Sequence, residues 1–360
     1  MDRVDVLVLG IDASSAYLSR KLVEKGLSVT ILDPRIEAGA PINTNEAVGG
    51  ITLGFSKDIP EDLLNLHRLD EIKLYLDRSR DPMTFRVNGN SGDCIHSTLD
   101  QDRLDKEMAA LAVMEGASLL IRSDVDSIRE VAGGFETVFR QGSRVERALS
   151  RMVIAARPAS ILKDYISYGS YMKRQICVTR KTPGASASAE ISLFEEVKMD
   201  YSWKLPKRHG IVNAGLESAG SCNEGRDSIL VTKVEKNFKA GLFLQSGSVI
   251  LTGQLLGLQD PIFSNDLDTS MLIARIAADV ISSDIDSSPQ DVVSAYRNRL
   301  KEHLLNKAEM GKSLVESISY IVKSQKNDVL DKICGTIIKG VKSEEMWKLI
   351  HGNIGVEDGS

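Results

Sequence analysis

The chain has few aromatic residues, 5% of its 360, and few cysteines, four in all. Cys94, Cys177, Cys222 and Cys334 lie far apart, with no Cys-x-x-Cys pair or Cys/His cluster. That excludes a disulfide scaffold and a structural zinc site, and it points to a reducing, cytoplasmic setting. The histidines, His67, His96, His209, His303 and His351, show no metal-ligand spacing, so no metal is expected. No apolar run reaches the roughly 18 residues that a spanning helix needs. The sequence also lacks a basic surplus: its formal net charge is -5, which argues against a nucleic-acid surface. There is no P-loop and no G-x-S-x-G, and Ser14-Ser15 has no histidine near it in sequence. A hydrolase triad is therefore not indicated.

What is present is a globular composition, 42% hydrophobic and 26% charged. A chain of this length forms two domains or one large α/β body. Val4 to Leu9 is a Val/Leu-rich run ending at Gly10, the pattern of a buried parallel strand. It is too short and too acid-flanked to be a signal peptide. Residues 13–25 have helical spacing and stop at Gly26, and 27–32 form a second strand before Asp33. This is a strand–helix–strand unit of nucleotide-binding length. Further along, a helix is expected over 102–115, strands over 118–121 and 135–140, a turn at 141–143 and a buried strand at 151–155. Residues 165–240 alternate polar and apolar and read as an antiparallel sheet. Residues 249–252 read as a strand, 267–282 as a long helix and the remainder from 290 as helical.

These elements predict an α/β fold: an interrupted Rossmann-like nucleotide-binding domain, which the resemblance described below makes an FAD/NAD(P)-binding one, with an inserted antiparallel-sheet domain and a helical C-terminus. The expected division is 1–60, 94–160 and 240–285 for the nucleotide-binding part, 61–93 and 161–239 for the inserted part, and 286–360 for the helical region.

Gly10-Ile11-Asp12-Ala13-Ser14-Ser15 stands where a G-x-G-x-x-G fingerprint belongs, with only its first glycine present. The fingerprint needs that glycine for the turn, the second for approach of the pyrophosphate and the third for helix–strand packing. Asp12 puts a Cβ and a charge in the approach path. Asp33, 23 residues after Gly10, stands where an acid bonds ribose hydroxyls. Two readings stay open on these residues. One is a dinucleotide site with departures. The other is a plain parallel-sheet unit whose helix is N-capped by Asp12.

Five segments together resemble the archaeal geranylgeranyl reductases, FAD-dependent enzymes with the aromatic-hydroxylase fold. They are residues 5–33, the loop AGAPINTNEAVGG at 38–50, LDQDRLDKEMAALAVMEGA at 99–117, YSWKLPKRHGIVNAGLES at 201–218, and the stretch 249–281 beginning VILTGQLLG. The fourth is the most specific: Tyr201, Trp203 and Pro206 with Gly215 match the family's Tyr-x-Trp-x-Phe-Pro signature. The resemblance implies FAD as cofactor, an isoprenoid lipid as substrate and a lipid pocket walled by Tyr201, Trp203 and Pro206. It places Gly10, Ser14, Asp33, Gln101, Gly253 and Gln254 at cofactor-facing positions.

Several of those positions depart from the family. Asp12 and Ser15 replace glycines, Gln101 an arginine, Arg157 the acid of an Ala-Asp-Gly, and Gln254 the acid of a Gly-Asp. Ser264-Asn265-Asp266 stands where glycines face the flavin ring, and Thr44 replaces a loop cysteine. An acid about 5 Å from a phosphate costs about 3 kcal/mol at an effective dielectric near 20. Each buried group left unpaired adds about 1–3 kcal/mol. Arg157 is the cation expected to offset part of this.

Two functions from different classes follow. The first is an FAD-dependent reductase of isoprenoid C=C bonds. The second is a flavin-free paralogue that binds a lipid or pairs with a reductase homologue or an electron-donor protein. No nucleic-acid partner is expected, and membrane contact is at most peripheral.

Overall fold

The computed structural model describes residues 2–39, 59, 67–75, 81–86, 97–98, 101–157, 171–182, 188–194, 200–207, 210–218, 227–234, 247–256 and 267–303. The first unit is β1 (Asp2–Leu9), α1 (Ala13–Glu24) and β2 (Val29–Asp33). Short strands β3 (His67–Arg68), β4 (Glu71–Tyr75), β5 (Met83–Arg86) and β6 (Ser97–Thr98) precede α2 (Gln101–Met114). Next come β7 (Ser118–Ile121), β8 (Ser123–Val131), β9 (Gly134–Gln141) and β10 (Arg144–Ala155). The strands β11 (Tyr171–Thr182), β12 (Ser188–Phe194), β13 (Asp200–Lys207), β14 (Gly210–Ser218) and β15 (Asp227–Val234) follow. The chain then returns through β16 (Ile250–Leu251), a 3-10 turn over Gly253–Leu256 and α3 (Leu267–Asp284), and residues 289–303 are helical.

One sheet runs β7-β2-β1-β10-β9-β8, with β16 also paired to β10. The pairs of β1 with β2 and β10, of β2 with β7 and of β10 with β16 are parallel; β8, β9 and the first part of β10 form an antiparallel meander. The parallel strands are buried on both faces, which is why Val6 to Leu9 and Met152 to Ala155 read as unbroken apolar runs. Helix α1 packs on both α2 and α3, and its core face includes Ala13, Ala16, Tyr17, Leu18 and Leu22. Beyond α3, the buried Tyr296 donates its phenol to the carbonyl of Leu251 at 2.7 Å, joining segment 289–303 to β16. Burial pushes that phenol's pKa up, so the hydroxyl stays a donor.

The second sheet runs β15-β11-β14-β13-β12-β4-β5. Its neighbours are antiparallel except β12 and β4, which are parallel. Its order thus departs from the purely antiparallel expectation at the one place where strands from the two sequence segments meet.

One local element was also new. Residues 123–131 form a strand that the sequence did not announce, because only three of its nine residues are Val or Ile and most of its positions face solvent. Lys204 lies within β13 opposite Glu190 and pairs with it at 2.9 Å.

Candidate functional site

The strand order reverses between β1 and β10. Chain leaving β1 adds β2 and β7 on one side, while β10 and β16 lie on the other. In open α/β sheets the crevice at the carboxyl ends of such strands is where ligands bind. Here those ends are Gly10 after β1, Asp33 at the end of β2, Ala156-Arg157 after β10 and Thr252-Gly253 after β16. Backbone bonds fix them: Ala156 N–H donates to Leu9 O at 2.9 Å, Thr252 N–H to Ala155 O at 2.9 Å and Gly10 N–H to Leu32 O at 2.8 Å.

The N-terminus of α1 opens into this crevice. Its exposed N–H groups and partial positive charge are the usual anion site of such folds. In this chain they are taken by side chains. Asp12 is the N-cap and forms a capping box with Ser15: the Ser15 N–H donates to Asp12 Oδ1 at 2.8 Å, and the Asp12 N–H donates to Ser15 Oγ at 2.8 Å. Ser14 Oγ donates to Asp12 Oδ1 at 2.8 Å. The Ala13 N–H donates to Asp105 Oδ1 at 2.8 Å, reaching across from α2. The Ile11 N–H donates to Asp33 Oδ2 at 2.7 Å.

Asp33 is further committed. Arg35 donates to it through its backbone N–H and Nε to Oδ1 and through Nη2 to Oδ2, each at 2.9 Å. Arg35 Nη2 also donates to the carbonyl of Ile11. Burial acts against the charge on Arg35, but its bonds to Asp33 and the attraction of Asp33, Asp105 and Asp12 hold its pKa above the ordinary value. Its Nη1 is buried without a hydrogen-bond partner.

Arg157 lies over the crevice floor. A Cβ added at Gly10 would come within 2.6 Å of Arg157 Cγ and 2.7 Å of its Cβ. Glycine, at φ 89, is the residue that leaves room for this side chain. Burial, then the nearby Arg35, push the Arg157 pKa below its ordinary value, while Asp12, Asp33 and Asp105 oppose the shift. On the other wall, a Cβ at Gly253 would lie 3.2 Å from Ser14 Oγ and 3.6 Å from Asp12 Oδ2.

The structure thus brings together Gly10, Asp12, Ser14, Asp33, Arg157 and Gly253. Gln101 opens α2, and Gln254 follows Gly253 in the 3-10 turn. Tyr201, Trp203 and Pro206 share β13, in the second sheet, where Trp203 pairs in register with Ile191 and Ala214, and Pro206 is buried. Thr44, Ser264, Asn265 and Asp266 lie outside the described residues. Sequence reading missed Arg35. Its signal was an arginine two positions after a strand-ending aspartate, close enough to fold back on it. Asp105 lies within the 99–117 segment of the resemblance, and its reach to α1 has no local signal.

The donor set does not fit an FAD diphosphate held in the fingerprint manner. Four of the N–H groups from Ile11 to Ser15 already serve side-chain oxygens. Asp33 has both oxygens engaged, Asp12 stands where the fingerprint has the glycine that a pyrophosphate approaches, and the turn glycine Gly10 is covered by the Arg157 stem. Arg157, the cation expected to offset part of the acid's charge, lies where Asp12, Asp33 and Asp105 all attract it. Its aliphatic stem rests against Gly10.

No family model matches the chain. A digeranylgeranylglycerophospholipid reductase of Thermoplasma volcanium is 21% identical over 389 residues, spanning 97% of this chain and 96% of the relative. The chain is similar to the archaeal digeranylgeranylglycerophospholipid reductases. One from Methanothermobacter thermautotrophicus is 24% identical over 345 residues, covering 88% of this chain and 87% of that reductase. Among solved structures, a geranylgeranyl bacteriochlorophyll reductase-like protein from Thermoplasma acidophilum superposes with a TM-score of 0.73 at 20% identity, covering 99% and 98% of the two chains. The flavin-dependent brominase Bmp2 gives 0.63 at 12% identity over 98% and 99%. The fold is the one these two solved structures share.

Proposed function

We propose that this chain recognises an isoprenoid lipid, as reductases of digeranylgeranylglycerophospholipid do, and that its second sheet supplies the pocket. Support comes from near full-length similarity to those reductases and from the Tyr201–Trp203–Pro206 signature on β13. The proposed division is 1–60, 94–160 and 240–285 for the nucleotide-binding-type body, 61–93 and 161–239 for the lipid-side body and 286–360 for the helical end. The strands of the first sheet come from 2–33, 118–155 and 250–251, and those of the second from 71–86 and 171–234, in keeping with it.

Two chemistries are compatible with lipid recognition. Similarity favours reduction of the lipid's C=C bonds, in which a bound flavin would supply the hydride. The committed donors around α1 favour the second: binding of the lipid without a flavin, alone or alongside a reductase homologue or electron-donor protein. The observation that carries this choice is the hydrogen bond from the Ala13 N–H to Asp105, with those to Asp12 and Asp33 beside it. Among the described residues no helix is long and apolar enough to cross a membrane.

The test is a thermal shift with a geranylgeranyl lipid below its micelle concentration. A ligand at about 100 times its Kd stabilises the native state by about 2.7 kcal/mol, so the midpoint should rise. The rise should be lost in Trp203→Ala and kept in Gln254→Ala. No rise at any concentration below the micelle point would overturn lipid recognition.

A further inference from the structure

We infer that this chain has closed its own dinucleotide crevice. The carboxylates of Asp12 and Asp105 take the α1 donors that a diphosphate would take, and the Arg157 side chain covers Gly10. The inference concerns the cofactor and stands apart from the lipid reading.

The anion-binding capacity of a helix start resides in a few free N–H groups and the helix dipole. Here the Ser15 N–H goes to Asp12 and the Ala13 N–H to Asp105, each at 2.8 Å, and the Ile11 N–H goes to Asp33 at 2.7 Å. All three acids are buried: Asp33 and Asp105 are 0% exposed and Asp12 is 6% exposed. They carry the negative charge that the helix start favours, so a second anion meets repulsion where it would ordinarily meet attraction.

The acids come from three elements. Asp12 belongs to the β1–α1 turn, Asp33 to β2 and Asp105 to α2. Arg35 and Arg157 supply the opposing charge, and Asp12, Asp33 and Asp105 all act electrostatically on both. Among the described residues, three carboxylates and two guanidiniums meet at this end of the crevice. A diphosphate approaching at Asp12 would have to share the helix start with two buried acids, Asp12 and Asp105. An isolated capping aspartate would leave the turn at Gly10 uncovered. Arg157 on Gly10 is the second, independent closure.

The experiment uses the full chain, FAD and inorganic pyrophosphate as probes. The purified protein should carry no flavin absorbance, and neither FAD nor pyrophosphate should move its melting midpoint. Combining Asp12→Gly with Arg157→Ala should tighten FAD binding, read by fluorescence quenching, by roughly a hundredfold. Asp12→Asn keeps a capping side chain while removing the charge, so it guards against a double variant that does not fold. It should tighten binding by roughly tenfold. Stoichiometric flavin in the wild-type protein would overturn the inference, as would FAD affinities equal across the wild type and Asp12→Asn. Either result leaves the lipid reading standing. A missing lipid shift in a flavin-free protein would overturn that reading alone.

Discussion

At the scale of single residues, Asp105 does the most with the least local support. It lies in the second turn of α2, 92 positions from the N–H it accepts, and it joins the starts of two helices. Asp105→Asn keeps the shape but lowers the charge complementing the α1 dipole, and Asp105→Ala leaves the Ala13 donor buried and unpaired. The alanine variant should lose about 1–3 kcal/mol, and the asparagine variant less, by urea denaturation. Neither loss should be restored by added FAD.

Asp5 shows how charge reaches the pH axis. Burial works to raise its pKa, but the hydrogen bonds from Ser28 N–H and Oγ and the attraction of Arg151 and Arg3 outweigh it and hold it below 3.8. A carboxyl depressed in the folded state contributes stability above its unfolded pKa and loses it as pH falls through the folded value. Acid unfolding followed by circular dichroism should therefore be less steep below about pH 3.8 in Asp5→Asn. Identical acid limbs in the two proteins would refute the assignment.

At the scale of elements, the antiparallel meander depends on one close approach. Gly134 begins β9 with φ 145, and a Cβ there would lie 2.0 Å from the carbonyl oxygen of Ser150 on β10. Gly142, in the β9–β10 turn, also has positive φ, at 63, but no atom lies within 4 Å of an added Cβ. Gly142→Ala should cost about 1–2 kcal/mol, the strain of the left-handed backbone alone. Gly134→Ala adds a backbone clash and should cost clearly more. Comparable denaturation midpoints for the two variants would contradict the geometry.

The elements were legible where one physical signal dominated. Helix α1 was expected over 13–25 and spans Ala13–Glu24, because an N-cap, an apolar face and Gly26 agree on its limits. Helix α2, expected over 102–115, spans Gln101–Met114. The Gln141-Gly142-Ser143 turn joins β9 to β10 as expected. Strand β8 was not legible, since it pairs antiparallel with β9 at the rim of the sheet and carries mostly polar residues. Position in the crevice was legible for Gly10 and Asp33, because a strand end has a local signature. The ties from Asp105 and Arg157 were not, because they are contacts between segments about 90 and 150 residues apart in the chain.

At the scale of the whole molecule, the two sheets differ in how far their strands must travel. The second sheet is built mainly from neighbours in sequence, β11 to β15, whereas the first is completed only when β16 returns to β10. Pairing of Ala155 with Leu251 spans the entire run of strands between them. Non-local parallel pairing of this kind is slow and leaves apolar edges open while it waits.

The bond from Tyr296 to Leu251 extends that delay to the last described helix. During vectorial synthesis, a chain threaded from the ribosome as far as β10 has its β1–β2 unit ready but lacks the partner for the far edge of β10. The phenol that locks β16 emerges some 45 residues after the strand it holds. The nascent chain therefore carries an incomplete crevice through most of its elongation. The closure inferred above rests on Asp12, Asp105 and Arg157, all encoded before residue 160, so these side chains come together while the crevice is still half-built.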